Sequence, residues 1–437
     1  VKTKLDKFIR LAGLALVFCM LGGIAESQPE SRSRFQIEQP EVELNPDVEQ
    51  AYAFVEAGSY SSAIQLLVPQ ANAGDAVAQA MLAELYSQGL GVPQNFATAV
   101  ALNTAAASQG NYSAQNALGR SYIDGIGVAR DTQLGLALLE QAARSGRPDY
   151  QTDFGSALET STDAPEQWAR AAGWYRRAAD QGFVPAMTSL GVLYLEGKGV
   201  ERDGANAIEL FSQAAEEGDA RAQNNLGLIY VRGEDTERDY DQAAILFQLA
   251  ADQGLREGLT NLSVMYESGF GVELDEAEAR RLLAQARLVG SFTLSATLDE
   301  IGFPFDTRLL QPDWLAVLDA SEERAALAGD PIALYRTAFR YLNGDGVRQN
   351  IPLAITRLEQ SAMQGMNGAQ LNLGILYARG EALPQNYGEA YLWISLAAYH
   401  GNIAAERLRD VLATEMSAEQ LTRTQERVLT ILSGTTQ

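Results

Sequence analysis

One apolar pattern is spelled out repeatedly along the chain. In residues 184–219, Ala186, Leu190, Gly191 and Tyr194 fall on one face of a helix. Gly197 and Gly199 then interrupt the pattern, as the left-handed turn at a helix C-terminus requires. Val200 follows as an apolar plug. Ala207, Ile208, Leu210, Phe211, Ala214 and Ala215 form a second helical face that stops at Gly218. The spacing predicts two helices joined by a glycine turn. Small side chains at Gly191, Ala214 and Ala215 let helices approach closely, and Tyr194 and Phe211 fill the gaps.

Three marks carry this unit along the chain. The closing glycines Gly74, Gly110, Gly146, Gly182, Gly218, Gly254, Gly290, Gly329, Gly365 and Gly401 are 36 residues apart, with one interval of 39. Tyr86, Tyr122, Tyr194, Tyr230, Tyr266, Tyr341 and Tyr377 keep the same register, with Leu158 in the missing place. Alanine pairs such as Ala178-Ala179 and Ala250-Ala251 precede the closing glycines. One helix pair cannot bury its apolar face alone, whereas stacked pairs share a continuous core.

The pattern A-x-x-x-L-G-x-x-Y-x-x-G-x-G-V, followed by a helix ending A-A-x-x-G, resembles the Sel1-like repeat, a tetratricopeptide-like family. The resemblance implies an all-α fold: a right-handed α/α superhelical solenoid of about nine 36-residue helix-turn-helix units with a C-terminal helical cap. Sel1-like repeats are expected over residues 48–291, incomplete at 48–75 and degenerate at 148–183, and again over 331–402. Residues 292–330 form a divergent unit. It keeps a second helix ending at Ala325-Ala326 but has IGFPF, Ile301 to Phe305, in place of the first-helix motif. Gly302 and Pro304 are expected to end a helix there. Residues 403–437 match no repeat and read as amphipathic cap helices, with Ser417 and Gln420 placed as a capping box.

The first 25 residues are of another kind. Lys2, Lys4, Lys7 and Arg10 precede an apolar run from Leu11 to Ala25, ending in the small residues of a cleavage site. This layout predicts a cleaved signal peptide and export, most simply to a bacterial periplasm. The run falls short of the roughly 20 apolar residues of a membrane span. Membrane attachment is expected only if the signal stays uncleaved or Cys19 is lipidated. Residues 26–47 are polar and contain prolines, as a linker would. Cys19 is the only cysteine, so the exported part has no disulfide and must stand on packing.

A net charge of −23 argues against a nucleic-acid partner, which is bound through Lys and Arg. The single histidine, His400, sits before a helix-ending glycine and reads as structural. One His and one Cys leave no zinc site and no nucleophile–base pair of the usual kind. Asp235, Glu237, Asp239 and Asp241 alternate as calcium ligands do, but the loop lacks the required glycine and final glutamate, so it reads as a solvated connection. No catalytic residue, metal ligand or cofactor is assigned.

In helical arrays the first helices usually line the concave surface, where partners lie. Asn225, Asn261 and Asn372 stand directly before the motif leucine, and Asn116 and Asn224 one register step earlier, all expected off the core stripe. An asparagine ladder can hold a peptide backbone, because the amide both donates and accepts. Arg232 and Arg379 occupy matching turn positions suited to a carboxylate. These seven residues are the candidate protein-binding set. The expected function is a non-enzymatic, monomeric scaffold or adaptor that binds a protein or peptide. The resemblance to exported Sel1-like regulators implies a role in envelope signalling. Two other readings stay open at this point: a structural part of a polysaccharide or pilus export assembly, and a glycan or cell-wall hydrolase.

Overall fold

Short polar side chains start the helices and glycines end them. The computed structural model describes residues 45–161, 164–288, 294–305, 309 and 318–434, and among these it has 22 helices and no strand. The expected signal peptide, most of the expected linker and most of residues 306–317 lie outside the described residues. Successive helix pairs are α1 (Pro46–Glu56) with α2 (Tyr60–Asn72), α3 (Ala76–Gln88) with α4 (Phe96–Ser108), and α5 (Tyr112–Asp124) with α6 (Thr132–Ala143). Next come α7 (Pro148–Ser161) with α8 (Pro165–Ala179), α9 (Val184–Glu196) with α10 (Gly204–Glu216), α11 (Ala220–Arg232) with α12 (Tyr240–Asp252), and α13 (Arg256–Ser268) with α14 (Glu276–Leu288). Helices α15 (Leu294–Ile301) and α16 (Ala320–Leu327) replace one regular pair. The chain ends with α17 (Pro331–Asn343) and α18 (Ile351–Met363), α19 (Asn367–Arg379) and α20 (Tyr387–Tyr399), then α21 (Ile403–Thr414) and α22 (Ala418–Leu432).

The leading unit, expected to be incomplete, folds as the short pair of α1 and α2. Gly58 and Ser59 make a tighter turn than the usual loop, and Asn45 caps α1. The degenerate copy also folds as a pair, because Pro165 starts α8 without any glycine loop.

The regular repeats close in the same way. The residue that caps the second helix donates its backbone N–H to the motif tyrosine carbonyl: Asp203 to Tyr194 at 2.9 Å, Asp239 to Tyr230 at 3.1 Å, Asn386 to Tyr377 at 2.9 Å. The same side chain then accepts from the helix, as Asp203 does from Asn206 N and Asp239 from Gln242 N. Such a cap is worth about 1 kcal/mol. Part of the acidic charge, including Asp239 of the alternating carboxylate run, is therefore structural. The motif glycine of the first helix admits a ring from the second. A Cβ at Gly191 would stand 2.8 Å from Phe211, and one at Gly227 the same distance from Phe247. Both rings are fully buried, each worth about 1.5–3 kcal/mol.

The chain divides into two compact units. The described part of the first is residues 110–124, 130–161 and 164–288, and its core includes Phe154, Tyr175, Phe211, Phe247 and Met265. The second comprises residues 45–109 and 125–129 with the described residues from 294 to 434. Its core includes Tyr335, Phe339, Tyr391, Ile394 and Leu408.

Within the second unit, the loop between α3 and α4 is bonded to the last helices. The buried Tyr391 hydroxyl donates to Gln94 Oε1 at 2.6 Å and accepts from Gln425 Nε2 at 2.9 Å. Gln425 Oε1 accepts from Phe96 N at 3.1 Å, and Arg409 Nη2 donates to Gln88 O at 2.9 Å. Burial pushes the Tyr391 hydroxyl pKa up to about 12. Ser417 and Gln420 form the capping box that starts α22.

Candidate peptide-binding face

The five asparagines are inside the protein. Asn224, Asn225 and Asn372 are 0% exposed, Asn261 2% and Asn116 7%. The expectation that they stand off the core is corrected, and the reason lies in the first helices. Helix α11 packs on more than one side, so every side chain from Ala222 to Ile229 is buried. The position before the motif leucine consequently faces the preceding first helix, as Asn261 and Asn372 show. Three hydrogen bonds cross between neighbouring first helices at the same separation of 37 residues. Asn116 Nδ2 donates to Asp153 Oδ2 (3.0 Å), Asn261 Nδ2 to Asn224 Oδ1 (2.8 Å) and Asn372 Nδ2 to the Tyr335 hydroxyl (3.3 Å). A glutamine register not singled out from the sequence supports them. Gln79, Gln223 and Gln370 each donate to a carbonyl eight residues back in the preceding second helix. The recurrence of Gln in the 36-residue register was the signal for it.

Asn372 and Arg379 also hold a piece of chain. Asn372 Nδ2 donates to Pro304 O at 2.7 Å, and Arg379 Nη2 donates to Leu298 O at 2.8 Å. The last turn of α15 and the IGFPF tail thus run antiparallel to α19. The IGFPF aromatics dock on α17: Phe305 stacks on Tyr335 with ring centroids 5.3 Å apart, and Phe303 lies 5.1 Å from Phe339. Gly302 and Pro304 do end a helix, and the freed segment becomes an internal ligand of the first-helix face. Arg379 was expected to meet a carboxylate. Its closest bond is to a backbone carbonyl instead, with Asp299 and Glu381 farther off at 3.7 and 3.9 Å.

In the first unit, Asn225 and Arg232 have no such occupant among the described residues. Neither side-chain polar atom of Asn225 has a hydrogen-bond partner, nor does Asn224 Nδ2. Arg232 is half-buried and lines a cavity of about 120 Å³ with Leu195, Arg202, Ile229, Glu234 and Asp235. Burial lowers its pKa, opposed by Glu234, Asp235 and Glu196. Arg202 Nη2 pairs with Asp235 Oδ2 at 2.7 Å, which fixes that wall of the cavity.

Two carboxylates in the first unit are half-buried. Burial raises the Asp153 pKa, against the opposing pull of Arg120 and the Asn116 hydrogen bond. Burial raises Glu159 likewise, against the hydrogen bond donated by Tyr175. A group whose folded pKa lies above its unfolded value stabilises the fold at low pH, and that contribution is lost as pH rises through the folded pKa. Asp153→Asn and Glu159→Gln are therefore expected to raise the unfolding midpoint at pH 7, with the gain vanishing by about pH 4, near the unfolded carboxylate value. Thermal unfolding of each variant beside the parent at both pH values checks this. A gain that grows on acidification would contradict it.

Among the described residues, no group of three or more His, Cys, Asp or Glu side chains is placed to hold a metal ion. His400 caps α20, with Nδ1 2.8 Å from Leu396 O. No described helix is long and apolar enough to cross a membrane.

Stacked helix pairs with a polar first-helix face define an all-α solenoid of the helical-repeat class. More narrowly, the chain belongs to the Sel1 repeat family, which matches residues 76–111, 113–146, 164–183, 184–219, 220–255, 256–290, 331–366 and 368–402. Only the second half of the degenerate copy is matched. Among solved structures, a Sel1 repeat protein from Oxalobacter formigenes is 27% identical, covering 56% of this chain and 97% of its own, with a TM-score of 0.52. A protective antigen of uropathogenic Escherichia coli strains with an SLR fold is 24% identical over 88% of this chain and 94% of its own, TM-score 0.31. An immunity protein from Pseudomonas aeruginosa is 22% identical over 51% and 82%, TM-score 0.34. None of the curated proteins compared matches the chain. Sel1 repeat proteins generally mediate protein–protein interaction.

Proposed function

We propose that this protein is a non-enzymatic scaffold that binds a protein or peptide partner through its first-helix faces, works in the bacterial periplasm and regulates envelope signalling. The observation that carries the binding reading is the grip of Asn372 and Arg379 on the backbone carbonyls of Pro304 and Leu298. Side chains of this face thus take chain segments by their main-chain acceptors. The basic, then apolar, N-terminal residues support the export part of the reading.

The test is in-cell cross-linking of the tagged protein after fractionation. One stoichiometric protein partner recovered from the periplasmic fraction is the expected result. A folded, exported protein that captures nothing at any cross-linker position would sink the scaffold reading. Retention of the protein in the cytoplasm would sink the envelope part alone.

A further inference from the structure

One exposed position changes character between the early and the late repeats. It lies two residues before each closing glycine, at the end of the second helix. In the early repeats it carries Asn72, Ser108, Arg144, Asp180, Glu216 and Asp252, all exposed. In the last repeats it carries Leu327, Met363 and Tyr399, which are 75%, 75% and 43% exposed. The position is solvated at each of these residues, so packing within the chain does not demand an apolar side chain there. Single exposed apolar residues are ordinary, whereas three in one register form a surface feature. Hydrogen bonds place their turns side by side. Ser361 Oγ donates to Pro331 O at 2.7 Å, Asn367 Nδ2 to Ala397 O at 3.2 Å, and Asn402 Nδ2 to Asn367 Oδ1 at 2.8 Å. Ile332 and Ile403, 43% and 81% exposed, extend the same edge at the starts of α17 and α21. Among the described residues, Leu327, Met363 and Ile403 are the most exposed large apolar side chains.

We propose that this edge of the second unit is a two-fold contact between copies of the chain, in place of the monomer expected from the sequence. Charge selects the partner. The chain carries −23, so two copies repel over most of their surface. Residues 360–378 and 390–405 contain no Asp, Glu, Lys or Arg, so copies can meet there without burying an unpaired charge. A strongly acidic or basic partner finds no complement on such an edge. Shape selects the symmetry. Each apolar side chain stands two residues before a glycine, and a Cβ at Gly329, Gly365 or Gly401 would meet nothing within 4 Å. Knobs and hollows thus alternate with one period, and an edge so built is complementary to itself when turned by a two-fold axis. With the axis at Met363, Leu327 of one copy faces Tyr399 of the other. Three turns at about 10 Å per repeat make an edge about 30 Å long. Such a contact falls at the small end of specific interfaces, below about 1,200 Å² in total, so the dimer is a weak, exchanging one. The proposal does not depend on the scaffold reading.

Sedimentation velocity of the full chain over a concentration series tests this. A monomer–dimer equilibrium is expected, and it should tighten as salt is raised, because screening removes the repulsion and no ion pair holds the contact. Met363→Glu sets two like charges at the axis and should weaken the dimer about tenfold or more. Glu216→Gln, at the same position in the first unit, should leave it unchanged. In the Cys19→Ser chain, Met363→Cys should give a disulfide-linked dimer on oxidation, and Glu216→Cys should not. Both positions are exposed, so the variants keep the core intact, and helical circular dichroism checks that they fold. A monomer at every concentration and salt overturns the proposal, as does a dimer indifferent to Met363→Glu or one that loosens as salt rises. A monomer that binds phosphatidylcholine vesicles, and releases them with Met363→Glu, also overturns it and gives the edge to a membrane surface.

Discussion

Tyr391→Ala is expected to lower the free energy of unfolding by about 3–5 kcal/mol, and Tyr391→Phe by about 1–3 kcal/mol. The larger figure has two sources. The ring is fully buried among Ile394, Leu408 and Leu412, so truncation leaves a cavity. The hydroxyl joins Gln94 to Gln425, so its loss leaves a buried acceptor and a buried donor unmatched. Phenylalanine keeps the packing and removes only the second source, which separates the two. Urea unfolding of both variants measures the difference. If Tyr391→Phe is as stable as the parent, the polar network contributes nothing and the contact between the α3–α4 loop and the C-terminal helices is held by packing alone. A cycle with Gln94→Ala should show coupling, since the two side chains share one hydrogen bond.

Gly271→Ala is the second large effect, expected to exceed 3 kcal/mol, whereas Gly254→Ala should stay within about 1–2 kcal/mol. Both glycines have left-handed backbones, with φ of 66° and 77°. A Cβ at Gly271 would stand 2.0 Å from Tyr240 O, whereas one at Gly254 would meet nothing within 4 Å. The common backbone strain therefore cancels in the comparison, and the clash with a main-chain oxygen remains. That oxygen cannot rotate away as a side chain would. Thermal unfolding of the two variants under one condition decides the matter. Equal losses would mean that the turn gives way and the stacking of loop on preceding helix is soft.

The helix pairs were legible because three independent marks repeat at one interval. The glycine at the turn, the tyrosine before it and the alanine pair each answer a local steric demand, and a demand met in every repeat prints itself on the sequence. The burial of Asn225 and Asn372 was not legible. A helical wheel assumes one buried stripe, whereas α11 and α19 are packed nearly all round, so a residue off the stripe still falls inside. The fate of IGFPF was half legible. Gly302 and Pro304 announce the end of a helix, but the destination of the freed segment depends on Asn372 and Tyr335, which lie 68 and 31 residues from Pro304. The contact of Gln94 with Tyr391 spans 297 residues and occurs once, so no periodicity could reveal it.

The bonds from Gln94, Phe96 and Gln88 to the last three helices bear on how this protein could have changed over time. An array with free ends gains or loses a repeat by duplication or deletion at little expense, because each unit touches only its neighbours. Here a 36-residue duplication anywhere between Phe96 and Tyr391 would have to be absorbed without moving either end of the polar network. Homologues with one repeat more or fewer are therefore expected to lack the Gln94–Tyr391–Gln425 set, and those that keep the set should keep the count.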